Sequence, residues 1–123
     1  MCMNSNRRIR RIGALTASLA ATTAVAVSPS LAASSKTHVI KAQNIAYTPE
    51  RVVVHRGDRV TWEFLDAKLL SPHTVTSVGS QRFKDSPNGR LTGSFTATFA
   101  KRGTYRFVCT IHPASMSGVI IVR

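Results

Sequence analysis

From residue 37 to the end of the chain, apolar side chains recur at every second position in short runs, and no stretch sustains a helical period. Val52 and Val54, Val60 and Trp62, Phe95, Ala97 and Phe99, and Tyr105 and Phe107 each give an extended segment one apolar face. The runs are rich in Val, Ile, Thr and aromatic residues and are bounded by Gly, Pro, Asp and Ser, which is strand chemistry punctuated by turns. Strands are therefore expected at residues 37–46, 51–55, 59–64, 74–78, 94–99, 104–109 and 118–122. Turns fall at His55-Arg56-Gly57-Asp58, Ser86-Pro87-Asn88-Gly89 and Lys101-Arg102-Gly103, where glycine supplies the backbone freedom a tight reversal needs. The least regular stretch, residues 79–93, is expected to be a loop over one side of the sheets, with room for a short turn of helix. Seven or eight short strands at this spacing imply an all-β sandwich or a small barrel.

The first third of the chain differs. Arg7, Arg8, Arg10 and Arg11 precede an uncharged run at residues 12–27, and Ser28-Pro29-Ser30-Leu31-Ala32-Ala33 follows with a helix breaker and small residues at the right spacing for cleavage after Ala32. Residues 1–32 are expected to be a signal peptide, leaving 33–123 as a single domain exported to the periplasm, cell envelope or exterior. The rival is a permanent anchor. The run falls short of the roughly 20 apolar residues a spanning helix needs, and its Ala, Thr, Ser and Gly insert weakly. No stable membrane insertion is therefore expected after cleavage. The arginine pairs also raise twin-arginine export, although Arg10-Arg11-Ile12-Gly13-Ala14 lacks a strongly apolar residue after the pair.

Four of the 17 basic residues lie before residue 33, so 13 remain against all 5 acidic ones, a net charge of +8 on the exported domain. The basic residues are scattered singly and no nucleic-acid motif is present, so nucleic acid is not an expected partner. The charge serves solubility, or it steers an acidic protein. Cleavage also removes Cys2, leaving Cys109 as an odd thiol in a compartment where small domains pair their cysteines.

Cys109-Thr110-Ile111-His112-Pro113-Ala114-Ser115-Met116 places a thiolate, an imidazole and a thioether within eight residues, between two expected strands. All three are soft or borderline metal ligands. A fourth must come from elsewhere, and His73, after Pro72 at the start of an expected strand, is the natural candidate. Two imidazoles, one thiolate and a weak axial Met form the donor set of blue-copper electron-transfer sites, where an intermediate geometry suits both Cu(I) and Cu(II). A closed zinc site normally uses Cys and His alone. The plainer alternative is a buried thiol beside a loop histidine and a core methionine, all satisfied by packing.

The sequence resembles the cupredoxin family, with its plastocyanin, pseudoazurin and amicyanin members, over nearly all of residues 33–123. Tyr47-Thr48-Pro49, Val52-Val53-Val54-His55-Arg56-Gly57-Asp58-Arg59-Val60-Thr61-Trp62, Pro72-His73-Thr74-Val75, Phe95 to Phe99, and Gly103 through Cys109 to His112-Pro113, Met116 and Gly118 carry the likeness. It implies a Greek-key β-sandwich, one type 1 copper ion cycling between Cu(I) and Cu(II), His73, Cys109 and His112 as equatorial ligands, and Met116 as the axial one. Three residues separate His112 from Met116, against four in plastocyanin and pseudoazurin and two in amicyanin. Residues 63–71 replace a short polar link before the first histidine, and Thr74 stands where plastocyanin has an Asn.

The expected function is a monomeric one-electron carrier, not an enzyme, working between redox partners, one of them with an acidic docking surface. Electrons are expected to pass at the edge of His112, within an apolar rim of Leu69, Leu70, Pro72, Pro113 and Ala114. The alternatives are a copper-binding or copper-delivery protein and a metal-free interaction module. An oxidase is disfavoured by the absence of any His-x-His pair, and a binuclear copper centre by the single thiolate. His38 and His55 have no partner at ligand spacing and are expected to be surface histidines, while Trp62 and Phe107 are expected core fillers.

Overall fold

Alternation on this scale needs two faces to meet, and in the computed structural model, which describes residues 13, 17–29, 33–68 and 71–123, two four-stranded sheets do so. The chain divides into two units, Met1–Leu31 and Ala32–Arg123. In the first, residue 13 and residues 17–29 carry neither helix nor strand. The arginine-rich start and the Ser30-Leu31-Ala32 cleavage pattern lie outside the described residues.

The second unit contains β1 (Thr37–Gln43), β2 (Ala46–Thr48), β3 (Arg51–Val54), β4 (Arg59–Leu65), β5 (Thr76–Val78), β6 (Thr92–Thr98), β7 (Gly103–Val108) and β8 (Ser117–Val122). One sheet has the order β2-β1-β4-β6 and the other β3-β8-β7-β5. Parallel pairings join β1 to β4 and β3 to β8, and the remaining pairs are antiparallel. The result is an all-β sandwich of eight strands.

Strand ends shift by a residue or two throughout, with β6 starting at Thr92 inside the expected loop, and three places bear on the site. The segment at 37–46 is two strands, because Asn44 and Ile45 both take left-handed backbone angles (φ 55° and 58°) and reverse the chain into a hairpin. Neither residue is Gly, so the sequence carries a weak turn signal there. β5 begins only at Thr76, while His73 makes an isolated bridge to Arg90. Among the described residues, 79–91 contain no helix.

The period-2 residues fill the space between the sheets: Ile40, Ala42, Tyr47, Val54, Val60, Trp62, Phe64, Phe107, Ile120 and Val122 are buried. Trp62 lies at the centre as the expected core filler. Its ring stacks on Phe83, with centroids 5.6 Å apart and planes 8° from parallel, and meets Phe107 edge-on at 5.3 Å. Phe83 comes from the irregular loop, which therefore closes the core on that side. Truncating Trp62 to Ala would cost about 3–5 kcal/mol from lost contacts and the residual cavity.

His38 departs from the expected free surface position. It is half-buried, and its Nε2 lies 3.0 Å from Asp58 Oδ2. His55 is exposed, as expected.

Candidate metal centre

Strand phase decides which end-of-strand residues reach the interior. Tyr105 and Phe107 point inward from β7, and the next inward position, one residue past the strand, is Cys109, fully buried. The loop then leaves the sheet, turns at His112 and returns at Met116 to start β8. Backbone bonds set its shape: Ser115 and Met116 N–H donate to His112 O at 3.1 and 3.0 Å, and Cys109 N–H donates to Met116 O at 3.0 Å. Met116 is fully buried and His112 half-buried.

His73 arrives from the other side of the sandwich end. Its N–H donates to Arg90 O at 2.9 Å and its carbonyl accepts from Arg90 N–H at 2.8 Å, which anchors the main chain where no long strand does. The ring is fully buried. Thr74 then ties this segment to the thiol loop. Its N–H donates to Cys109 Sγ at 3.4 Å, and its Oγ1 accepts the Thr110 N–H at 2.9 Å.

The outcome is a cluster in which one donor atom each from His73, Cys109 and His112 lies within 4.8 Å of the others. His112 Nδ1 is 3.7 Å from Cys109 Sγ, and the two imidazole rings stand 5.2 Å apart at 57°. The far nitrogens are occupied: His112 Nε2 lies 3.2 Å from Ser71 Oγ, and His73 Nε2 lies 2.5 Å from Asp66 Oδ2. That leaves His73 Nδ1 buried with no partner among the described residues. An unpaired buried nitrogen costs free energy unless something satisfies it. A metal ion among the three donors would do so, and two imidazoles with a thiolate beside a buried thioether suit copper better than hard cations.

Tyr47 braces the Thr74 segment, whose N–H points at the thiol. Burial, and then the nearby Cys109 charge, push its phenol well above the usual range, so it stays protonated and donates to Thr74 O. A proton-bearing phenol costs little to bury once that bond is made.

Of the expected rim, Pro113 and Ala114 are exposed and Pro72 is half-buried, while Leu69 and Leu70 lie outside the described residues. Ile111, 44% exposed beside His112, was not among the residues expected there. Also missed were Asp66, Ser71 and the linking role of Thr74. Asp66 did leave a signal, because it continues the inward phase of Val60, Trp62 and Phe64, and a carboxylate on a core-facing phase needs a partner.

A family model described as a Cupredoxin-like domain matches residues 14–122. Amicyanin-alpha of Methylorubrum extorquens is 32% identical over 108 residues, covering 88% of this chain and 87% of the relative. Amicyanin of Paracoccus denitrificans is 30% identical over 85 residues, covering 69% of this chain and 64% of the relative. Among solved structures, the Cu(I) form of an amicyanin variant matches with a TM-score of 0.61 at 28% identity, over 71% of this chain and 82% of that one. A purple cupredoxin from Nitrosopumilus maritimus matches with a TM-score of 0.59 at 24% identity, over 71% of this chain and 98% of that one, a likeness of fold alone.

Proposed function

Because the chain belongs to the cupredoxin-like domain family, whose model spans residues 14–122, we propose that it is an exported type 1 copper protein that carries single electrons between redox partners and turns over no substrate. The observation that carries this reading is the convergence of donor atoms from His73, Cys109 and His112 within 4.8 Å, beside a buried His73 nitrogen that has no partner among the described residues. Amicyanin, a relative, has been solved in a Cu(I) form.

Copper bound here would supply a one-electron couple. The protein's part is to hold the donors still while the charge changes. Cys109 and Met116 are fixed by the bond between their own backbones, and His73 by its bridge to Arg90. The Thr74 N–H pointing at Cys109 Sγ stabilises negative charge on the thiolate. Met116, buried next to this set, is the proposed axial ligand. His112, the one half-buried member, offers its ring edge as the passage for electrons.

Loading with Cu(II) should give an intense visible band that disappears on reduction and returns on reoxidation, and Cys109→Ser should abolish it. A variant that keeps the same band would show that the thiolate is not a ligand. Residues 1–32 are the proposed signal peptide, and the exported protein should then have the mass of a chain starting near Ala33. An intact chain retained in the membrane would refute that part.

A further inference from the structure

We propose that Asp66 is a positioning residue for the metal centre: it holds the His73 ring as an Nδ1 donor and, through its charge, favours the more highly charged state of the metal. The proposal rests on the reading of His73 as a ligand and deepens it.

The Asp66 side chain is 1% exposed and that of His73 is wholly buried, with Oδ2 2.5 Å from Nε2. An ionised carboxylate only accepts hydrogen bonds, and beside one the imidazole carries its proton on Nε2. A neutral imidazole has one such proton, and Nδ1 is then left as a lone pair, on the nitrogen that has no partner among the described residues. Without Asp66 the ring is free to carry its proton on Nδ1 and present a hydrogen where a metal must bind.

The pair is held at both ends by one short segment. Asp66 N–H donates to Leu91 O at 3.2 Å, while His73 and Arg90 exchange two backbone bonds at 2.9 and 2.8 Å. Adjacent residues 90 and 91 thus set the spacing of carboxylate and ring. The carboxylate itself is oriented by Asn44, whose N–H donates to the same Oδ2 at 2.8 Å. That amide comes from the hairpin turn in which both Asn44 and Ile45 are left-handed. Ile45 is β-branched and strained there, so the turn persists only where its surroundings hold it, and the bond to Asp66 is one such restraint.

Oδ1 of Asp66 is buried with no partner among the described residues. Among the described residues the two donors, His73 and Asn44, meet one oxygen only, and an ionised carboxylate held this way directs its field at the imidazole. Electron density pushed toward Nδ1 makes a better donor to Cu(II) than to Cu(I).

A purely structural Asp66, tying the β1–β2 hairpin to the site, would behave differently, and two variants separate the cases. Asp66→Asn can still accept both N–H groups through its oxygen but carries no charge. It should keep the fold and the visible band while losing about tenfold in Cu(II) affinity relative to Cu(I), which is a reduction potential about 59 mV higher. Asp66→Ala removes the acceptor, and copper affinity should fall by about 10- to 100-fold. In copper-free protein, nitrogen NMR should show His73 as the Nε2–H tautomer in the wild type and a shift toward Nδ1–H in Asp66→Ala. A wild-type potential in Asp66→Asn, with the wild-type band present, overturns this inference and leaves His73 a ligand. A wild-type protein that takes up Cu(II) without that band overturns the ligand reading and this inference together.

Discussion

Single side chains in this protein act through the phase they inherit. Cys109 is buried because it continues the inward alternation of Tyr105 and Phe107, and Met116 because it re-enters the sandwich just before β8. Met116→Leu preserves volume and apolarity, so the fold should tolerate it with a cost below about 1.5 kcal/mol. Its effect should appear in the copper instead. If Met116 is the weak axial donor proposed above, its loss should leave a coloured site with a higher reduction potential, measurable by spectroelectrochemistry, because the lower-coordinate site favours Cu(I). A lowered potential would count against Met116 as an axial ligand.

At the scale of elements, two junctions bear disproportionate weight. β8 starts with Ser117-Gly118, and a Cβ on Gly118 would stand 2.4 Å from the Phe107 ring and 2.8 Å from the backbone oxygen of Glu50. That oxygen also accepts the Val119 N–H at 2.8 Å, so it cannot simply move away. Gly118→Ala should destabilise the domain by about 1–3 kcal/mol in denaturant unfolding, as overpacking does. An unchanged midpoint would mean that β3 and β8 separate easily. The second junction is Asp58, at the turn from β3 to β4, where Gly57 is left-handed (φ 89°). Its carboxylate accepts the His55 N–H at 3.0 Å and the Lys36 N–H at 2.9 Å, and it bonds His38 at 3.0 Å. The backbone donors of His55 and Lys36, with His38 after them, hold this carboxyl well below its ordinary range. The folded form therefore resists protonation more than the unfolded one does. Stability from this group is fully present above about pH 4 and declines as pH falls below it. Asp58→Asn should flatten the acid limb of stability against pH, followed by chemical unfolding between about pH 2 and 6. An acid limb of unchanged steepness would place the linkage elsewhere.

For the molecule as a whole, charge and the exposed end matter together. The +8 balance of residues 33–123 should draw anionic redox partners and repel cationic ones. Oxidation by hexacyanoferrate should slow as salt is added, since exposed charges are screened beyond about 10 Å at 0.1 M. Ala114→Glu and Ile111→Asp, at exposed positions flanking His112, should slow it further while leaving the copper spectrum nearly unchanged. A rate indifferent to both changes would place the electron passage away from this end.

The sequence by itself determined the β class, the central Trp62, the inward phase of Cys109 and the grouping of Cys109, His112 and Met116, because period-2 alternation and short spacings are local properties of the chain. Even the candidacy of His73 was legible, from Pro72-His73 beside an expected strand. Only the tertiary structure decided that His73 meets Cys109 and His112, since their approach depends on β5 pairing with β7 and on a bridge to Arg90 in an irregular loop. The hairpin at Asn44-Ile45 was hidden because Asn44 gives only a weak left-handed signal and the β-branched Ile45 argues against one. Asp66 was visible only as an acid out of place in an inward phase. Its partners, Asn44 and His73, lie in separate segments of the chain, and no spacing rule connects the three until the sheets are stacked.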